Sequence, residues 1–256
     1  MASILWGVSW LLSNMNERQK ELFGKIIEEY IRLAQPIASG HLQKKGGLSI
    51  SAATIRNEMT KIEEEGYIYQ PFTSAGRVPT EKGYRFYIKN FLRSQKPNKE
   101  FQKFLKRIKM EDKDSYEKLI KRVAKIISQA SKGMVVVGFA PQDIYYTGIR
   151  NLFSQPEFVR QKLIFSLSEI IDHFDESVEK LFEIIDEFTD ASFGPNKFFP
   201  RLKILIGRDN PISRQCSIIV MRYKVRELEG LFGILGPIRM DYNRNIALLR
   251  CVQNLI

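Results

Sequence analysis

The sequence predicts an α+β protein in two parts: a helical amino-terminal part closed by a small hairpin, and a carboxy-terminal part built on an antiparallel sheet. Three observations predict it. Apolar residues recur every three or four positions from Asn16 onward, and the period switches to two after Gly66. The runs "MVVVGFA", "RLKILIG", "CSIIVMRY" and "LFGILGP" read as strands set between amphipathic helical stretches. The chain has 256 residues, enough for one large domain or two ordinary ones, and its 44% hydrophobic content is that of a folded protein.

The elements follow in order. Leu22, Phe23, Ile26, Ile27, Tyr30 and Leu33 form one helical stripe, which Asn16 caps and Pro36 stops. A second helix spans about Ala38 to Lys45 and ends at Gly46-Gly47, where left-handed backbone carries no penalty. Ser49 or Ser51 caps a third, "SAATIRNEMTKIEEEG", whose inner face is Ile55, Met59 and Ile62. "YIYQPFTSAGRVPT" reads as a strand, a tip near Ser74-Ala75-Gly76 and a return strand at Arg77-Val78. Thr80 caps a fourth helix reaching about Leu92. Three helices followed by a hairpin, with a short turn between the second and third, predict a winged helix-turn-helix. Residues 96–132 read as one basic connecting helix with the stripe Leu119, Ile120, Val123, Ile126 and Ile127. Beyond it, "PEFVRQKLIFSLSEIIDHF" and "SVEKLFEIIDEF" read as amphipathic helices and "NRNIALLRCVQNLI" as a closing helix. The predicted organisation is therefore 1–15 an uncharged extension or mis-assigned start, 16–95 the winged helix-turn-helix, 96–132 the connecting helix and 133–256 the sheet-bearing domain.

The formal charge of +11 is unevenly placed. Residues 1–95 carry 13 Lys and Arg against 9 Asp and Glu, residues 96–132 carry 12 against 5, and residues 133–256 carry 15 against 15. The surplus lies in the first half and suggests a polyanionic partner for it. Cys216 and Cys251 match no metal or redox spacing, and His41 and His173 add no ligand set, so no metal and no cofactor are expected. No phosphate loop or nucleophile motif is present, so no catalytic residues are assigned, and Asp172 and His173 read as surface residues. No window reaches the apolar length of a membrane span, and a reducing, cytoplasmic setting is expected. The first fourteen residues, "MASILWGVSWLLSN", lack the charged leading segment of a secretory signal.

A recognition helix needs short polar side chains on its first turns, because those turns meet base edges in the major groove. Ser51, Ala53, Thr54, Arg56, Asn57 and Thr60 fit that need. Asn pairs with adenine, Arg with guanine, and Ala or the Thr methyl touches the thymine methyl. The hairpin then reads as the wing, with Thr73, Ser74 and Arg77 offering donors to phosphate or the minor groove. Plainer readings stand beside these: Ser51 as a simple helix cap, Arg56 paired with Glu63 or a neighbouring acid, and Glu63 to Glu65 as a solvated face.

The stretch "LSISAATIRNEMTKIEEEGYIYQPFTSAGRVPTEKGYRFYIKNFL" closely resembles the amino-terminal domain of the HrcA family of bacterial heat-inducible transcription repressors. "NLFSQPEF" at 151–158, "IGRDNP" at 206–211, "CSIIVMRY" at 215–222 and "GILGPIRMDYNRNIALL" at 233–249 resemble that family's carboxy-terminal motifs. The resemblance implies a homodimer that binds an inverted-repeat operator, the CIRCE element, in double-stranded DNA. It implies a winged-helix domain, a GAF-like domain and activity supported by the GroEL chaperonin. By motif position it assigns DNA contact to Ser51, Thr54, Arg56 and Asn57 of the helix and to Thr73, Ser74 and Arg77 of the wing. One departure is visible. Only "APQDIYYTGIR" separates "MVVVGF" from "NLFSQPEF", so the family's inserted dimerising domain is missing and the GAF-like domain is reduced. The dimer contact then falls to the 116–130 helix or the carboxy-terminal sheet. Two rival readings are a regulator whose GAF-like half senses a small molecule, and a chaperonin partner that no longer binds DNA.

Overall fold

The computed structural model describes residues 15–47, 50–93, 98–111, 115–159, 173–186, 202–225 and 228–255. The uncharged amino-terminal stretch, Ser49, Asp172 and most of the helix expected after Pro156 lie outside these. Mixed helices and antiparallel sheets make up two separately packed units that divide between Leu92 and Arg93.

In the first unit, α1 (Glu17–Leu33) begins with a reciprocal cap. The Asn16 side chain accepts from the Gln19 N–H and the Asn16 N–H donates to the Gln19 side chain, both at 2.9 Å, which satisfies two orphan donors. Then follow α2 (Ser39–Lys45), α3 (Ala52–Glu64), β1 (Ile68–Tyr69), β2 (Val78–Pro79) and α4 (Glu81–Phe91). The expected inner face of α3 is the observed one: Ile55, Met59 and Ile62 are buried. They meet Leu22, Phe23, Ile26 and Ile27 in the core of this unit. Phe23, Tyr67 and Phe86 pack edge-on or tilted with centroids 5.0–5.8 Å apart. That geometry suits the ring quadrupoles and adds to the area the rings bury.

The second unit opens with a correction. The stretch expected as one connecting helix is two, α5 (Lys99–Glu111) and α6 (Tyr116–Ser131), broken at Ser115, which is extended and caps α6. Both helices pack into this unit beside the closing helix, α9 (Tyr242–Gln253), and are no free linker. The α6 stripe of Leu119, Ile120, Val123 and Ile127 is at most 1% exposed, so it is spent on its own unit and does not offer a dimer face.

The sheet runs β4-β3-β7-β6-β5, antiparallel throughout, with β3 (Met134–Ala140), β4 (Asp143–Thr147), β5 (Leu202–Ile206), β6 (Cys216–Val225) and β7 (Leu228–Pro237). Strand β4 lies in the short "DIYYT" run and was not expected from the sequence. Met134, Val136, Ile218, Val220, Leu231 and Leu235 meet α7 (Ile149–Phe153) and α8 (Phe174–Asp186) through Leu152, Val178, Leu181 and Ile185. Helices α6 and α9 also pack on the sheet, where the alternate residues Val135, Val137, Ile219 and Phe232 are buried as well. Burial on both faces explains why these strands are apolar without alternation although the sheet is antiparallel.

The "NLFSQPEF" segment is a clamp. Asn151 Nδ2 donates to the Ser128 hydroxyl (2.9 Å) and carbonyl (3.1 Å), and Gln155 Nε2 donates to the Lys132 carbonyl (3.0 Å). Arg239 donates to Gln155 Oε1 (2.8 Å) and pairs with Glu157, while Phe158 fills the core. The end of α6 and the turn at Arg239, distant in sequence, are thereby joined around α7. Among the described residues no helix is long and apolar enough to cross a membrane, and no group of His, Cys, Asp and Glu is arranged to hold a metal ion.

Gly148 enters α7 with φ +84°, and a Cβ there would stand 1.8 Å from Ser128 Oγ and 2.7 Å from the Gly133 carbonyl. Gly148→Ala is expected to cost about 2 kcal/mol or more through strain and lost clamp bonds. Gly40, inside α2 with nothing within 4 Å of its virtual Cβ, is expected to gain up to about 1 kcal/mol on substitution by Ala. Thermal unfolding of the two variants checks the opposed signs.

Candidate nucleic-acid interface

The outward side of α3 is assembled by its own first turn. Ser51 caps the helix, accepting from the Thr54 N–H at 3.1 Å, and its hydroxyl lies 2.9 Å from that of Thr54. The capping role weighed for Ser51 is thus real, and both hydroxyls begin with a local partner. Thr60 donates to the Arg56 carbonyl at 3.1 Å. Ala53, Arg56 and Asn57 are exposed, and neither the Arg56 guanidinium nor the Asn57 amide has a partner among the described residues.

An acidic residue near this side, Glu58, is turned toward α1. Gln19 Nε2 donates to it at 2.9 Å and Lys61 Nζ at 3.2 Å. Burial works against its charge, but those donors outweigh it and hold the carboxyl below the ordinary range. One acid of the outward side is therefore drawn into the α1–α3 contact.

Glu63 is the largest departure from expectation. Its partner is Arg77 at 2.8 Å, not Arg56, and its other oxygen accepts from the Gln70 N–H at 2.6 Å. One carboxylate thus holds both strands of the hairpin against the end of α3. Arg77 is not the free donor expected at the loop: its side chain is only 13% exposed and its charge is already matched.

The hairpin is tied at a third point. Ile37, between α1 and α2, bridges Arg77 through two backbone hydrogen bonds of 2.9 Å, an antiparallel pairing invisible in the local pattern. It explains Gly76. A Cβ at that position would lie 2.3 Å from the Ile37 carbonyl carbon, so only glycine lets the two backbones approach. At the tip, Gln70 Nε2 donates to the carbonyls of Thr73 and Ala75, each at 2.8 Å, and the Ala75 N–H closes a turn on the Phe72 carbonyl. Thr73 and Ser74 are exposed on that held tip, with Phe72 beside them, a residue the sequence reading passed over.

The two sets of predicted residues are therefore coupled through a carboxylate and not merely adjacent. Glu63→Ala is expected to release the hairpin. Hydrogen exchange at the Gln70 amide should accelerate by about tenfold or more, while the core amides of α1 keep their protection. Unchanged exchange at Gln70 would deny the coupling.

Residues 84–246 match the family model described as the HrcA protein C terminal domain. The chain is 40% identical to the heat-inducible transcription repressor HrcA of Alkaliphilus metalliredigens (strain QYMF), over 94% of this chain and 97% of that protein. It is 27% identical to that of Caldanaerobacter subterraneus subsp. tengcongensis, over 91% and 93%. The first alignment runs over 334 residues; since 94% of 256 is about 241, about 93 positions have no counterpart in this chain. A crystal structure titled as that of a hypothetical protein superposes with a TM-score of 0.71 over 94% of this chain and 97% of its own, at 17% identity, and so shares the fold. Proteins of the matched family are transcription repressors and not enzymes. With a family model across more than half its length and a 40% identical relative along nearly all of it, the chain belongs to the HrcA family.

Proposed function

We propose that this chain is a sequence-specific transcription repressor of heat-inducible chaperone operons, acting in the cytoplasm as a homodimer on a CIRCE-like inverted repeat in double-stranded DNA. Its first unit is read as a winged helix-turn-helix, with α2 and α3 as the helix pair, α3 in the major groove and the β1–β2 hairpin as the wing. Its second unit is read as a reduced GAF-like domain. The observation that carries the reading is an exposed Arg56 and Asn57, without partners among the described residues, on a helix whose end is bonded to both sides of the hairpin.

Roles divide by environment. Arg56 and Asn57 read base edges, with Ala53 and the Thr54 and Thr60 methyls as apolar contacts. Ser51 sets the helix end, and its hydroxyl turns to phosphate without losing the cap. Thr73 and Ser74 clasp the backbone. Arg77 acts as a positioning residue, holding the wing at the angle that the groove requires. Because the α6 stripe is buried, the twofold contact falls to the sheet, whose outer strands β4 and β5 each have one unpaired edge among the described residues. The GroEL chaperonin is the further partner of this reading.

A duplex selected by the full chain from a randomised pool tests it. The recovered sequence should be an inverted repeat, and Asn57→Ala should relax preference at one position of each half-site by about 1–3 kcal/mol. Lys44→Ala with Lys45→Ala, on the exposed end of α2, should weaken all duplexes alike and flatten the salt dependence. Recovery of no preferred sequence would reject the proposal.

A further inference from the structure

Among the described residues of the first unit, the aromatic side chains of Phe23, Tyr67, Tyr84, Phe86 and Tyr87 are packed away, at 0–7% exposed, and Tyr69 on β1 is 46% exposed. Phe72 is 63% exposed. It occupies the first position of the four-residue turn that forms the loop tip, between exposed Pro71 and exposed Thr73 and Ser74. Exposed apolar residues scattered over a surface need no explanation in general. This one differs in its frame, because the Gln70 amide grips the turn at two carbonyls and the Glu63 carboxylate holds the base of the loop. The ring is presented on a preformed support, so burying it against a partner carries little ordering cost.

The surroundings name the partner. Two hydroxyl residues follow the ring along the turn, and no carboxylate lies between Pro71 and Thr80. Hydroxyl donors beside an apolar projection at the loop tip suit a surface of sugar edges and phosphates enclosing a narrow apolar slot, which is the minor groove. We infer that Phe72 enters the minor groove beside the half-site and wedges against a base step, partly unstacking it and bending the duplex. This rests on the DNA-binding reading above and adds to it a bend and a preference for a deformable step, such as TA or CA, at a position without hydrogen-bonded readout. Thr73 and Ser74 anchor the groove walls while the ring does the wedging.

The selected duplex, labelled with a donor and an acceptor at its two ends, tests the inference with the full chain. The parent should raise energy transfer on binding. Phe72→Ser, at an exposed site where folding is not at stake, should bind on the order of tenfold more weakly, about 1.4 kcal/mol by the standard conversion. It should lose the rise in transfer yet keep the parent's salt slope, since no charge is removed. Phe72→Leu should restore most of the bend. A Phe72→Ser chain that binds and bends like the parent overturns the inference, as does a parent that binds without bending. So does a Phe72→Ser chain whose sedimentation shows altered self-association while bending is unchanged, because the ring would then be a protein contact. A parent that selects no duplex rejects the DNA-binding reading itself and this inference with it.

Discussion

A single carboxylate organises the amino-terminal unit. Glu63 stands on the last turn of α3 and receives the Gln70 N–H from one strand and the Arg77 guanidinium from the other. A two-stranded hairpin of this length does not hold itself in water. It is held here because two donors converge on one acceptor that is fixed on a helix, and because Ile37 adds a third strand position at Arg77. Both side chains are largely withdrawn from solvent, which strengthens the pair and makes either partner costly to remove alone. The polar composition of the loop follows from this arrangement: its residues bond within the hairpin and to the helix end, and have little to bury.

The same economy governs charge on the outer side of α3. Glu58 is bonded to Gln19 and Lys61, and Glu63 to Arg77 and Gln70. Carboxylates that would repel a phosphate backbone are neutralised by intramolecular donors. The Arg56 guanidinium and the Asn57 amide have no partner among the described residues. The helix is acidic in composition near its end without presenting all of that acidity outward.

The second unit holds its shape by a different device. Its sheet is covered by helices on both sides, and α7 is fastened at the Ser128–Gly133 turn and at Arg239 by the side chains of one short segment. Asn151, Gln155 and Glu157 each satisfy groups from a distant turn, so the motif is a structural joint. Cys216 and Cys251 lie within this unit, and burial pushes their thiols up to about 12 and about 11, so both remain protonated and inert near neutral pH.

Periodicity and capping chemistry alone placed the helices of the first unit, the hairpin after Gly66, the inner face of α3 and the antiparallel character of the second sheet. These are local matters: a stripe at helical spacing, a serine or threonine before it and a glycine after it act within a few residues of one another. The strand β4 and the break at Ser115 escaped, the first because five residues of mixed polarity carry almost no period, the second because a lysine-rich run stays helical in composition across a cap. The candidate site was legible as a set of residue types, but not as an arrangement. Which carboxylate meets Arg77, why Gly76 has no side chain and where Phe72 points all depend on contacts between segments far apart in the chain. Sequence decided which residues were available; tertiary structure decided which donors were already spent, because hydrogen bonds and ion pairs are settled by proximity in space.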